Sequence, residues 1–402
     1  MRTAALVLMN VASACVAARS GSLITLTIAQ ATGFLSAGLL LEPHRRSGHR
    51  VAAAIGFSCV LLGIAFLIAL TGAGHLIDIE RTLRFSYRPE RLDLLTGAPS
   101  ILGISSVVLI SAGCAIQAGL IPFQSILCDV FEDSPAWDAG IVAVTQRAQA
   151  LLLLGRIGAA MPGFEHTWQL VLLIVAAGSA VMAAVLVSRC ESLRSLSGHA
   201  WLLHGGLVTF GVALFITAPD PTTVAIESDR SLLSGRDTVL LAFATGAFAL
   251  SGVLACENFL RLPDRRIDFF DDLTGLGRQN SLLAAALAIP LLTLIAIPPL
   301  PGFWSIVFLA AHAFLPGIES LDSPVLVPSL LVLLSLFAII AGMLLLAGRV
   351  VYLLSLIYFH EPLRRLPAGG STVALASSVS VAVLLLAFGL LPHRLLEFLH
   401  SL

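Results

Sequence analysis

Long apolar runs alternate with shorter polar connections along the whole chain. A bilayer core about 30 Å thick is crossed by about 20 mostly apolar residues in a helix. Eleven segments meet this requirement: 3–19, 22–41, 51–73, 98–121, 138–159, 167–188, 198–217, 237–258, 281–313, 329–359 and 373–391. Polar connections occupy 42–50, 75–93, 189–197, 219–236, 257–280 and 360–368. The pattern predicts an all-α membrane protein with about eleven transmembrane helices.

Two of these apolar helices contain prolines near mid-depth. Pro122 ends the run 112–123, and the run 281–313 holds Pro298, Pro299 and Gly302 near its middle. Proline removes a backbone hydrogen bond and clashes with the preceding turn, and in lipid the freed carbonyls must face protein or water. One such proline often means only a kink. Paired interrupted helices indicate an inverted-repeat transporter with an ion path at the midplane.

The paired breaks suggest a division of the chain. We expect a first helical repeat over 1–188, with its broken helix near 112–123. A second repeat covers 189–359, with its broken helix near 281–313, and a C-terminal helix lies in 360–402. The apolar start of the chain, 1–18, resembles a signal peptide, but equally apolar runs follow it, so we interpret it as a first membrane helix.

Composition excludes several classes of protein. The chain is 57% hydrophobic and only 12% charged, with a mean hydropathy of +0.96, whereas soluble domains are about 25% charged. The net charge is −1, so the chain lacks the excess of positive charge that nucleic-acid binding needs. Its partners are expected within the bilayer. Cysteines lie scattered in apolar stretches without metal-ligand spacing, so we expect no metal site and interpret all six as small core residues.

Every one of the 23 basic residues is arginine, and their placement predicts the orientation. Loops after the even-numbered helices carry more arginine than the loops after the odd-numbered helices. Because basic residues accumulate in cytoplasmic loops, we expect the N-terminus to be cytoplasmic and the C-terminus to lie outside.

Three stretches of sequence carry a resemblance to a known family. GCAIQAGLIPFQSILCDVFEDSP, at 113–135, resembles a broken-helix signature of antiporter-type subunits, with Asp129 and Glu132 in register. LTGLGRQNSLLAAALAIPLLTLIAIPPLPGF, at 273–303, is similar to the later broken helix of the N-type subunit. SLSGHAW, at 195–201, is a weaker match. The chain therefore resembles the N-type antiporter-like subunit of the proton-pumping NADH:quinone oxidoreductase, respiratory complex I.

The resemblance implies a setting for the chain. Family members have fourteen transmembrane helices, and the match begins near the fourth, so the expected fold is the antiporter-like fold, N-terminally short. It implies a multi-pass protein of the cell inner membrane, packed against other membrane subunits. No nucleotide fingerprint is visible in the chain, so NADH, FMN, Fe–S clusters and quinone are expected in partner subunits, with no cofactor bound here.

The family's proton relay consists of a membrane glutamate paired with a lysine, a bridging lysine or histidine, and a terminal lysine. Carried over by the resemblance, these positions fall on Ala31, Gln117, Arg147 and Ile306. Lysine loses its proton readily when buried, whereas arginine keeps it. Three positions therefore lack a titratable group, and the fourth holds its proton.

Other polar residues remain candidates for a proton path. Arg147 is either a fixed electrostatic element of a channel or a packing charge paired to another helix. His199 and His312 are apolar-flanked residues that titrate near neutral pH, or are hydrogen-bonded core histidines. Glu257 and Arg349 close helices and are expected to reach the interface. A further group lies in the loop after the first broken helix, either as a solvated turn or as a proton-entry or interface element: Asp129, Glu132 and Asp133.

Three hypotheses for function follow. The favoured one is a divergent N-type membrane-arm subunit of a translocase, with an altered polar axis and no catalytic centre of its own. The second is a cation/proton antiporter component of Mrp type, against which the missing lysines count. The third is a non-pumping structural subunit.

Overall fold

A computed structural model describes residues 2–41, 46–86, 98–217, 235–260, 269–319, 326–363 and 372–391. These residues form helices without strands, apart from two isolated β-bridges, Ser22–His75 and Ser192–Phe269. The helices are α1 Arg2–Arg19, α2 Leu23–Leu40, α3 Arg46–Thr71, α4 Leu76–Ser86, α5 Ala98–Ala118, α6 Gln124–Asp133, α7 Ala136–Ala159, α8 Glu165–Val187, α9 Leu193–Thr217, α10 Gly235–Leu260, α11 Leu276–Gln279, α12 Ser281–Leu294, α13 Pro301–Glu319, α14 Leu326–Phe359 and α15 Thr372–Leu390.

Each of the eleven predicted segments is helical. Among the described residues eight helices are long and apolar enough to cross a membrane, and α1, α12 and α13 contain shorter apolar helices. Helix α7 is less apolar than these because it carries Gln146, Arg147, Gln149 and Arg156. It packs against α1, α2, α5, α9 and α10, so much of its surface faces protein instead of lipid. A central helix of this kind tolerates polar residues that a lipid-facing helix does not.

The connection 75–93 was predicted as a loop, and this is wrong for its first part, which forms helix α4. The helix buries Ile79 and Leu83 on one side. Its polar side carries ion pairs of Arg81 with Asp78 and of Arg84 with Glu80. Eleven amphipathic residues are too short and too polar for a hydropathy pattern to distinguish from a connection. A second correction concerns Cys15, predicted as a core residue, which is exposed on α1.

Both predicted helix breaks are present and have the same backbone motif. After α5, Gly119 adopts φ +65°, and its N–H donates to Ile116 O while Leu120 N–H donates to Ala115 O. After α12, Ala296 adopts φ +58°, and the same pair of bonds reaches Thr293 O and Leu292 O. This is the left-handed C-cap that closes many helices. An X–Pro peptide follows at the same relative position, Ile121–Pro122 and Pro298–Pro299, and both are cis.

The second break places an alanine where the first has a glycine, and this predicts opposite effects of two substitutions. A left-handed conformation costs an L-residue with a Cβ about 1–2 kcal/mol. Ala296→Gly is therefore expected to raise the free energy of unfolding by about 1 kcal/mol. Gly119→Ala is expected to lower it by more than this, because a Cβ there collides with Leu127. Thermal unfolding in mild detergent measures both, and a loss of stability in Ala296→Gly contradicts the explanation.

Candidate functional site

A cluster of three buried glutamines joins α2, α5 and α7. Gln117 Nε2 donates to Gln30 Oε1 at 2.7 Å and to Gln149 Oε1 at 3.1 Å. Gln30 Nε2 in turn donates to the backbone oxygen of Gln149 at 3.0 Å. All three side chains are more than nine-tenths buried. The break after α5 positions Gln117, since it lies on the last turn of that half-helix.

The same cluster continues into α1. Gln149 Nε2 donates to Ser13 Oγ at 2.6 Å and lies 3.4 Å from Asn10 Oδ1. Asn10 Nδ2 and Gln146 Nε2 both donate to Gly33 O. The result is a continuous chain of neutral hydrogen-bonding groups across four helices. Because amides neither gain nor lose a proton near pH 7, this chain orients dipoles without transferring charge.

Ala31, the position that the resemblance implied on α2, has no side chain that could take part in these hydrogen bonds. Gln30, one residue earlier, is the residue of α2 that hydrogen-bonds to Gln117. One residue along a helix turns the side chain by about 100°, so the two positions lie on different faces. In this chain α2 and α5 are joined at this point by a pair of glutamines.

Arg147 lies near this cluster and is almost fully buried, with 1% of its surface exposed. Its Nη1 donates to Trp201 O at 2.6 Å, and its Nη2 donates to Ala118 O at 3.2 Å. The guanidinium carbon lies 4.0 Å from the centre of the Trp201 ring. Ala118 is the last residue of α5, so Arg147 binds one of the backbone carbonyls at the end of that half-helix.

The charge of Arg147 is balanced without a carboxylate. Among the described residues, none of the four ion pairs includes it. A charge at membrane depth costs at least about 3 kcal/mol. Hydrogen bonds to a charged group return about 1.5–3 kcal/mol each, and a desolvated cation–π contact returns about 2 kcal/mol. The negative end of the α5 dipole adds to this. Arg147 is thus a structural cap and a fixed charge at once.

His204 is a buried residue that was not among the predicted candidates. Its ring stacks on Trp201, with centroids 5.8 Å apart, and 6% of its surface is exposed. Its Nδ1 has no hydrogen-bond partner. With Thr245 and Ser305 it lines a cavity of ≈10 Å³ beside the second helix break, close to the space that one water molecule needs. The available signal was the spacing of Trp201 and His204, which places them one turn apart.

Two of the predicted candidates, His199 and His312, lie away from the glutamine cluster and Arg147. His199 Nδ1 lies 3.1 Å from Cys190 Sγ and 3.3 Å from Ser195 Oγ, near the start of α9. Burial raises the pKa of the Cys190 thiol, so it stays protonated and inert. His312 Nδ1 pairs with Phe308 O on its own helix at 2.9 Å. Ile306 packs against the apolar core.

The expectation that Glu257 reaches the membrane interface is wrong. Its side chain is buried and forms an ion pair with Arg194. Arg194 also donates to the backbone oxygens of Phe131 and Ser134 at the end of α6. The arginine offsets part of the cost of holding this carboxylate out of water, and removing either partner would leave a buried unpaired charge. Arg349, the other expected interfacial residue, donates to Val187 O at 3.2 Å.

The acidic residues after the first break lie on a helix, contrary to the predicted loop. Asp129 and Glu132 are exposed on α6, whose other face buries Leu127, Val130 and Phe131. Helix α6 is therefore a short amphipathic half-helix, held at its C-terminal end by Arg194. Among the described residues no cluster of His, Cys, Asp or Glu is arranged to hold a metal ion.

Comparison with known proteins places residues 49–318 in a family model described as NADH:quinone oxidoreductase/Mrp antiporter, TM. NADH-quinone oxidoreductase subunit N of Azorhizobium caulinodans is 25% identical, over 77% of this chain and 61% of its own length. Subunit N of Paramagnetospirillum magneticum is 26% identical, over 74% and 55%. The chain thus spans little more than half of these relatives.

Solved structures share the fold. A chain of respiratory complex I from Thermus thermophilus matches with a TM-score of 0.70 and 22% identity, covering 98% of this chain and 79% of that one. A chain of the Mrp complex from Dietzia sp. matches with a TM-score of 0.73 and 17% identity, covering 98% and 74%. At these identities the structures establish the architecture alone.

Proposed function

Because the chain belongs to the NADH:quinone oxidoreductase/Mrp antiporter transmembrane family, we propose that it is an N-type membrane-arm subunit of a complex I-like NADH:quinone oxidoreductase. It packs laterally against other membrane subunits and contributes to the arm's structure. It has no catalytic centre of its own, and its interior is a fixed polar axis that does not relay protons from end to end.

The observation that carries this proposal is the pairing of Gln30 with Gln117 beside Arg147. A proton relay needs groups that both take up and release a proton. At this position the described residues are amides and one arginine, which keeps its proton. His204 is a titratable side chain near this position, and the Trp201 ring on which it stacks also contacts the guanidinium of Arg147. The groups named beside it, Trp201, Thr245 and Ser305, do not exchange protons near neutral pH.

Relatives named as subunit N supply the setting of this proposal. NADH, FMN, Fe–S clusters and quinone are assigned to partner subunits. The shared motif of the two helix breaks supports two repeats, which we assign to 1–188 and 189–359, followed by the C-terminal helix in 360–402. The arginine distribution supports a cytoplasmic N-terminus and an external C-terminus in the cell inner membrane.

The proposal is tested by purifying a tagged chain in mild detergent from its native membrane and identifying the polypeptides that co-migrate with it. We expect other membrane-arm subunits. In the same complex, the ratio of protons translocated per NADH is expected to stay unchanged in Arg147→Met and His204→Leu, compared at equal assembly. A lone polypeptide that carries cation flux, or a lowered proton ratio in either fully assembled variant, contradicts the proposal.

An Mrp-type antiporter component remains the alternative, since a chain of an Mrp complex shares the fold with a TM-score of 0.73. It requires ion flux through this chain without a quinone-reducing partner. Proteoliposomes containing the purified chain, with an imposed sodium or proton gradient, separate the two: we expect no flux above protein-free vesicles.

A further inference from the structure

A lateral groove of ≈590 Å³ lies on the side of the bundle between α1, α7 and α10, and we call it the α7 groove. Its floor is a stripe of α7 that includes Leu151, Leu152 and Gly155, and its walls include Phe215, Leu240 and Phe243. Helix α4 contributes residues at one end. The spacing of the α7 residues is that of one helix face, so the groove runs along the helix axis and presents an apolar surface.

The dimensions of the α7 groove match one leaflet of a bilayer. Its lining on α7 extends from Ala148 to Ala160, which is about 18 Å at 1.5 Å per residue. Half of a hydrocarbon core is about 15 Å. The lining residues of α1, α9 and α10 all belong to the same membrane side, where α7 ends and α10 begins. The groove therefore reaches from about mid-membrane to the headgroup level.

The headgroup end of the α7 groove is positively charged. Arg156 and Arg236 line it together with Glu80, whose carboxylate is bound to Arg84 at 2.9 Å. Arg156 donates through Nη1 to Ala18 O, and its buried Nε has no hydrogen-bond partner. Among the described residues no carboxylate forms an ion pair with Arg156 or Arg236. Two arginines with free donors beside an apolar groove are complementary to an anion carrying an acyl chain.

We propose that the α7 groove is a binding site for an anionic phospholipid of the leaflet in which α7 ends. The phosphate lies between Arg156 and Arg236, and an acyl chain lies along Leu151, Leu152 and Gly155. A transmembrane helix from another chain is the other occupant of such size. An apolar helix packed there would cover the groove but would give the two arginines no anion.

The test uses the full chain purified in mild detergent, with phosphatidylglycerol or phosphatidylcholine added as the probe. We expect phosphatidylglycerol to raise the thermal unfolding temperature and to be retained in native mass spectrometry, and phosphatidylcholine to do neither. Each arginine near a phosphate contributes about fivefold in affinity, so Arg156→Gln with Arg236→Gln is expected to weaken phosphatidylglycerol binding about 30-fold. Arg81→Gln, an exposed arginine of α4 outside the groove, is the matched control and should bind normally.

A second variant blocks the acyl chain without changing charge. A Cβ at Gly155 meets no atom within 4 Å, so Gly155→Leu places its side chain in the groove and also favours the helix. We expect this variant to remain folded and to lose at least tenfold in retained phosphatidylglycerol. Equal retention of the two lipids, wild-type binding by Gly155→Leu, or a co-purifying polypeptide that crosslinks to position 155 overturns the proposal.

Discussion

Gln30→Glu is expected to lower the free energy of unfolding by about 3 kcal/mol, the order of the cost of a carboxylate at membrane depth on insertion scales. Gln30 donates to the backbone oxygen of Gln149 and accepts from Gln117 Nε2. A glutamate keeps the acceptor but loses the donor, so a carboxylate oxygen faces a carbonyl oxygen. Thermal unfolding in detergent, together with the amount of assembled complex in the membrane, measures the loss.

Gln117→Lys is expected to cost less than Gln30→Glu. Gln117 Nε2 already donates to two amide oxygens, Gln30 Oε1 and Gln149 Oε1, and an ammonium group makes good use of the same acceptors. The double variant is expected to recover about 2–3 kcal/mol relative to the sum of the single losses, since it places opposite charges on touching side chains.

Additive losses in the double variant contradict the assignment of Gln30 as the residue that faces Gln117. A second double variant, Ala31→Glu with Gln117→Lys, separates the two positions. A carboxylate at position 31 lies on another face of α2 and should show little energetic coupling to the lysine at position 117. If the Ala31 cycle shows the stronger coupling, the register of α2 derived from these contacts is wrong.

The fold was predictable because bilayer thickness fixes the length of an apolar helix, and proline marks the breaks. The side-chain partners were less accessible. Gln149 reaches Asn10 across 139 positions, and Arg194 reaches Glu257 across 63. A hydropathy pattern does not predict such pairs, because they depend on how the helices pack and rotate relative to one another. On α2, for example, Gln30 makes these contacts, whereas Ala31, one residue later, lies on another face of the helix.

The roles of the histidines were also hard to predict from the sequence. His199, His204 and His312 all lie in apolar helices, and sequence alone does not distinguish a histidine bound to its own helix from one beside a cavity. In the structure His312 pairs with Phe308 O, whereas His204 stacks on Trp201 with an unpartnered Nδ1. Gln117, on the last turn before the first break, and Arg147, in the middle of α7, are by contrast both buried.

Arg194→Ala is expected to be the most destabilising single change, at about 3–5 kcal/mol, because it leaves Glu257 buried without its arginine. It also removes the donors that close the end of α6 at Phe131 O and Ser134 O. Arg278→Ala is the matched control: its pair with Glu361 is exposed and separated by 3.5 Å, so its loss should cost less than about 1 kcal/mol. Unfolding in detergent compares the two.

Two further variants divide the cost of losing Arg194 between the ion pair and α6. Arg194→Met with Glu257→Leu removes both charges and should recover about 2 kcal/mol of the loss, leaving about 1–3 kcal/mol for the carbonyls at the end of α6. Arg194→Lys keeps the charge, but one ammonium does not reproduce the planar fork that spans a carboxylate and two carbonyls, so an intermediate loss is expected.

Since α6 presents Asp129 and Glu132 on the surface, limited proteolysis of α6 should increase in Arg194→Ala and stay at the wild-type rate in Arg278→Ala. Equal proteolysis in both variants shows that Arg194 does not hold α6 in place.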